Sequence, residues 1–111
     1  MAQDTQLKKG VLEGCVLKIL DGEFRFSGEI VIRMGESGFI DFSEGTLYPM
    51  LMRLEKDGCF EVAKIASKNS PPKKYYRLSD IGKEMLSAFE KAWADTTASV
   101  AKIFGGKTDV E

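Results

Sequence analysis

The stretch FSEGTLYPMLMRLEKDG, Phe42 to Gly58, governs the reading of the whole chain. Ser43 has the chemistry of an N-cap, because its hydroxyl can accept from an orphan backbone N–H of the first turn. Phe42 and Leu47 stand where a hydrophobic staple needs its two apolar residues. Gly58 supplies the stop. Leu47, Met50, Leu51 and Leu54 recur at i, i+3, i+4 and i+7, so one face of this helix must be buried. Thr46, Tyr48, Met52, Arg53 and Lys56 take the other side. Pro49 lies near the N-terminus with Gly45 four residues before it, so only a local distortion is expected. Periodicity shows burial and nothing about partners, and taken alone the stretch reads as an ordinary amphipathic helix with a solvated outer face. Its neighbours change that.

Upstream, Leu7, Val11, Leu12, Cys15, Val16, Ile19 and Leu20 trace a helical stripe that ends at Asp21-Gly22. A second helix begins at Ser27, with Phe26 and Val31 as its staple. It buries Ile30, Val31 and Met34 and stops between Gly35 and Gly38. Three short helices in succession, the third with a polar outer face at its start, make a helix-turn-helix unit.

Downstream of Gly58 the period changes from helical to alternating. Phe60, Val62 and Lys64 take one face of a strand and Cys59, Glu61, Ala63 and Ile65 the other, which predicts partial cover on both faces. A Pro-containing loop is expected over Ser67 to Pro72. The chain then returns through Lys73 to Leu78, with Tyr76 and Leu78 inward and Tyr75 and Arg77 outward. This hairpin carries Lys68, Lys73, Lys74 and Arg77, and a basic hairpin directly after a helix-turn-helix is placed to lie along a phosphate backbone as a wing. The same charges also suit an edge kept from aggregating.

Ser79 is the cap of a last helix whose stripe runs through Ile81, Met85, Ala88, Phe89, Ala92, Trp93, Thr96, Val100, Ile103 and Phe104, closed by Gly105-Gly106. At about 1.5 Å per residue this helix is roughly 37 Å long, more than a small winged domain can cover. A second copy is the economical partner, and it would set two recognition helices about one DNA turn apart on a dyad-symmetric site.

The bulk properties agree with a protein of this kind and exclude others. With 111 residues, 43% hydrophobic and 30% charged, the chain fits one domain, and no apolar run approaches the length of a membrane span. Residues 1 to 10 lack the apolar core of a signal peptide, so a cytoplasmic location is expected. There is no His, which removes Ser-His and Cys-His catalysis and the usual zinc spacings, so neither enzymatic activity nor a metal or cofactor is expected. Cys15 and Cys59 are expected as small core residues. The net charge of −1 conceals a local excess, since residues 60–78 hold 5 basic groups against 1 acidic, and phosphate binding depends on local charge.

Two motifs, GTLYPMLMRLEKDG (Gly45 to Gly58) and PPKKYYRLSDIGKE (Pro71 to Glu84), together resemble the PadR family of bacterial winged-helix transcriptional regulators. The resemblance runs from Leu7 to Phe104 and points to the small subclass with a single long C-terminal helix. It implies a homodimer built on the first and last helices, DNA binding by the third helix and wing, and repression relieved by a small molecule. Ser43, Glu44, Thr46 and Tyr48 fall on the DNA-facing start of the recognition helix, and Lys73 and Lys74 on the wing. Arg53 and Lys68 complete the expected DNA-binding set. Phe89 and Trp93, with Val100, Leu12 and Cys15, form the expected dimer interface, where a flat aromatic effector could stack. The chain departs from the family at the wing tip, where Asn69-Ser70-Pro71-Pro72 replaces a Gly-rich turn.

The expected fold is therefore mostly α with a small β-hairpin. A winged helix-turn-helix DNA-binding region over 1–78 is joined in one compact unit to a dimerisation helix over 79–104, and 105–111 form a disordered tail. The competing reading is a winged-helix protein-interaction module without DNA binding. Glu44 motivates it, because a carboxylate facing phosphate is unfavourable unless it meets a cytosine amino group or its own helix terminus.

Overall fold

The computed structural model describes residues 2–105, with side chains from Gln6 onward. The element order is α1 (Ala2–Ile19), α2 (Ser27–Glu36), α3 (Glu44–Lys56), β1 (Phe60–Ser67), β2 (Ser70–Leu78) and α4 (Asp80–Phe104). This is a winged helix-turn-helix followed by one long helix. The expected tail lies outside the described residues, apart from Gly105.

Helix α3 is the keystone of the core. Leu47, Leu51 and Leu54 are fully buried, together with Val16, Leu17 and Leu20 of α1, Ile30 and Met34 of α2, and Leu78 of β2. Met50 packs at the margin of this cluster. Phe42 and Leu47 are both buried, as a staple requires. Ser43 occupies the N-cap in extended conformation, but its hydroxyl makes no capping bond, which corrects one detail of the expected cap. At the other end Cys59 N–H donates to the Leu54 carbonyl at 3.0 Å and Gly58 N–H to that of Glu55 at 3.0 Å. With Gly58 at φ +82°, this is a Schellman stop, which glycine adopts without steric cost.

The expected stripes of α1 and α4 meet the core in part, with Val16 and Leu20 fully buried and Leu12, Cys15, Ile19 and Met85 packed against it, and depart from expectation at single residues. In α1, Leu17 is buried while Leu7 is 76% exposed; in α4, Leu86 is 5% exposed and Ile81 53%. Each helix carries apolar residues over more than one seam. Periodicity identifies the seams, while packing selects the one that meets the chain's own core. Gly14 decides the α1 to α4 approach, because a Cβ there would lie 2.4 Å from the Phe89 ring.

The hairpin pairs Phe60 with Leu78, Val62 with Tyr76, Lys64 with Lys74 and Ile65 with Lys73. Its turn is only Lys68 and Asn69, so the expected loop over Ser67 to Pro72 is replaced by a strand that already contains Pro71 and Pro72. A register shift between Ile65 and Ser67 accommodates them, since proline lacks the N–H that regular pairing needs. Tyr76 and Leu78 point inward as expected, at 7% and 2% exposure. Beyond Phe60, however, the first strand is open, with Val62 and Ile65 exposed rather than covered. On the other side of β2, Arg25 exchanges two backbone hydrogen bonds with Tyr76, at 2.9 and 2.8 Å, tying the α1 to α2 connection to the wing.

Ser79 fastens the start of α4. Its Oγ accepts from Gly82 N–H at 3.1 Å and donates to the Gly58 carbonyl at 2.6 Å, while its own N–H reaches the Cys59 carbonyl at 2.9 Å. The last turn of α3 and the first of α4 thus share one side chain. From there α4 leaves the body, and every residue from 90 to 104 is exposed. The radius of gyration is 16.7 Å, against about 13 Å for a compact chain of this length.

Candidate nucleic-acid interface

The outer face of α3 begins with Ser43, Glu44 and Thr46, all exposed, and Tyr48, 45% exposed. Glu44 lies in the first turn of α3, where a carboxylate complements the positive end of the helix dipole. Tyr48 is held from outside its own helix: its hydroxyl lies 3.2 Å from Ser27 Oγ at the start of α2. Phe26, the residue before, meets Tyr75 of the hairpin edge to face at 5.6 Å between centroids. The Lys73 ammonium sits 4.2 Å above the same Phe26 ring. Residues 26 and 27 therefore join recognition helix and wing, enclosing a cleft of about 380 Å³ that Glu44, Tyr48, Lys73 and Lys74 also line.

The remaining candidates divide. Thr46 and Arg53 open onto the other flank of α3, a shallow cleft of about 740 Å³ shared with Lys9 and Glu13 of α1. There Arg53 pairs with Glu13. Lys74 hydrogen-bonds both oxygens of Glu55, at 3.0 and 3.2 Å. That bond raises the pKa of the Lys74 ammonium above the ordinary lysine value. Arg77 pairs with Glu61 across the strands and covers the Phe24 ring at 4.2 Å. Among the described residues Lys64, Lys68 and Lys73 form no ion pair. They are the hairpin's uncompensated charges. Lys64, opposite Lys74 in register, was legible only as sharing a strand face with Phe60 and Val62, and neither Ser27 nor Glu55 stood out, because their partners are 21 and 19 residues away in sequence.

The aromatic pair on α4 is half inside its own chain. Phe89 rests on Gly14, and Trp93 lies nearly parallel to it, 6.4 Å away at 12°. Trp93 and Val100 remain 47% and 46% exposed, and Ile103 and Phe104 80% and 81%. Leu12 and Cys15 pack at the edge of the core, and burial pushes the Cys15 thiol up. Among the described residues no group of His, Cys, Asp or Glu has the arrangement of a metal site, and no helix is long and apolar enough to cross a membrane.

Comparison with known proteins agrees with this geometry. The model of the transcriptional regulator PadR-like family matches residues 16–88. A solved Streptococcus transcriptional regulator is 39% identical, covers 89% of this chain and 97% of its own, and superimposes with a TM-score of 0.79. A PadR-like transcriptional regulator from Bacillus cereus is 37% identical, with 88% and 95% coverage and a TM-score of 0.79. One from Eggerthella lenta is 30% identical, with 92% and 88% coverage and a TM-score of 0.82. An uncharacterized protein of Lysinibacillus sphaericus is 29% identical over 89 residues, 78% of this chain and 82% of that one.

Proposed function

Because the chain belongs to the PadR-like family of transcriptional regulators, we propose that it acts as a cytoplasmic homodimeric repressor that binds a dyad-symmetric operator in double-stranded DNA and leaves it when a small aromatic effector binds at the dimer interface. Residues 1–78 carry the DNA contacts and 79–104 the pairing. The observation that supports this best is the placement of Glu44 and Tyr48 beside Lys73 along one cleft between recognition helix and wing. Tyr48, Ser43 and Thr46 meet base edges or flanking phosphates, Glu44 accepts from a cytosine amino group, and Lys68 and Lys73 meet phosphate. Phosphate contacts position a protein on the duplex, and base contacts specify the sequence. The half-open Trp93, parallel to Phe89, offers a flat effector a stacking face. Glu44 lies in the first turn of α3, where its carboxylate also complements the positive end of the helix dipole.

The test is a shift assay on the DNA flanking the gene, with and without planar aromatic compounds. The wild-type protein should select one dyad-symmetric sequence, and an aromatic inducer should release it. Lys73→Ala should weaken binding uniformly across sequences and lower the slope of log affinity against log salt by about one. An unchanged slope would remove Lys73 from the phosphate contacts. Tyr48→Ala should cost roughly 1–3 kcal/mol at particular base pairs, read by titrating duplexes that vary one position at a time. Equal loss at every position would make Tyr48 a backbone contact instead.

A further inference from the structure

We propose that Glu55 is a positioning residue for DNA binding: by holding Lys74 it sets the angle between the recognition helix and the wing, leaving Lys64, Lys68 and Lys73 to meet phosphate. This rests on the DNA-binding reading above. Three observations carry it. Glu55 lies in the last turn of α3, where a carboxylate opposes the negative end of the helix dipole and needs a compensating cation. Lys74 supplies one through two hydrogen bonds at 3.0 and 3.2 Å. In the hairpin, Lys74 faces Lys64 in register, and like charges directly opposite destabilise a strand pair, so Glu55 also relieves that repulsion.

The wing needs such a tie. A two-stranded hairpin is marginal on its own, and past Tyr76 every residue of β2 toward the tip is exposed except Tyr75. What joins that half to the body is Lys74 on Glu55, together with Lys73 and Tyr75 on Phe26. Both partners of the ion pair are partly open to water, at 41% and 35% side-chain exposure. A pair of that kind contributes little to global stability, so its effect should show in wing geometry and DNA affinity rather than in the melting temperature.

The discriminating variants are Glu55→Gln, Lys74→Met and the double substitution, titrated on the duplex that the wild-type protein selects. Positioning predicts that Glu55→Gln weakens binding roughly two- to fivefold, the range of a partly exposed ion pair, with an unchanged salt slope. Lys74→Met should do the same, and the double variant should be no weaker than Lys74→Met alone. If Lys74 itself contacts phosphate and Glu55 merely competes for it, Glu55→Gln binds more tightly and Lys74→Met lowers the slope by about one, which overturns the proposal. Amide hydrogen exchange on the free proteins provides a reading independent of DNA. Hairpin amides between residues 62 and 75 should exchange faster in both single variants, and wild-type rates there would also overturn it. Should the wild-type protein select no duplex at all, the DNA-binding reading fails, while the exchange rates still decide whether Glu55 holds the wing.

Discussion

Val100→Glu is expected to run as a monomer where the wild-type protein runs as a dimer, and to lose operator affinity by about a hundredfold or more. The reason lies in α4, whose residues 90–104 are all exposed. That half carries Trp93, Val100, Ile103 and Phe104, all substantially exposed, and a protein that works as a monomer rarely leaves so many large apolar groups open on one element. In a two-fold pairing each substitution occurs twice, so Val100→Glu buries two carboxylates without partners, a cost that exceeds the gain from the surrounding apolar contacts. In the proposed dimer DNA binding depends on pairing, because linking two half-site readers multiplies their joint affinity by about 10²–10⁴ through effective concentration alone. Analytical ultracentrifugation together with operator titration reads both effects. A variant that remains dimeric at micromolar concentration would show that the outer half of α4 is not the pairing surface.

The second large effect is expected at Gly82. A Cβ there would lie 2.2 Å from the Cys59 carbonyl oxygen and 3.0 Å from Leu78 Cδ2. The obstacle is backbone, so no rotamer change relieves it. Helix α4 must retreat from the start of β1, stretching the 2.9 Å bond from Ser79 N–H to that same carbonyl. Gly82→Ala should therefore destabilise by about 2–3 kcal/mol, the usual scale of overpacking, and lower the melting temperature by roughly 10–20 °C in a domain of this size. Gly10→Ala is the matched control. Nothing lies within 4 Å of its Cβ, so it should gain up to about 1 kcal/mol of helix propensity. Thermal denaturation followed by circular dichroism compares the two, and equal melting temperatures would mean that α4 docks more loosely than this contact implies.

Much of the fold was legible without coordinates. The spacing of Leu47, Leu51 and Leu54, the Gly58 stop, the alternation that turned Tyr76 and Leu78 inward and the Ser79 cap are local signals, set by neighbours within a few residues. The wing tip was misread for a related reason. Pro71 and Pro72 signal a loop by propensity, yet they are tolerated at the register shift near a free edge, where no ladder partner asks for their N–H. The inner seams of α1 and α4 were ambiguous because each helix carries apolar residues on more than one face, as with Leu7 and Leu17 or Ile81 and Leu86, and periodicity alone does not say which face meets the core.

The candidate site shows the same division more sharply. The motifs marked Tyr48, Lys73 and Lys74 as expected DNA contacts. Which charges are already neutralised was not legible there, since Arg53 meets Glu13 across 40 residues and Lys74 meets Glu55 across 19. By itself the sequence determined the helices, the hairpin and the family, because those depend on periodicity, caps and motif order along the chain. Only the tertiary structure decided which lysines remain free, what holds Tyr48 and the wing, and which half of α4 lacks cover. Those are properties of side chains brought together from distant positions, and electrostatic pairing acts through space rather than along the chain.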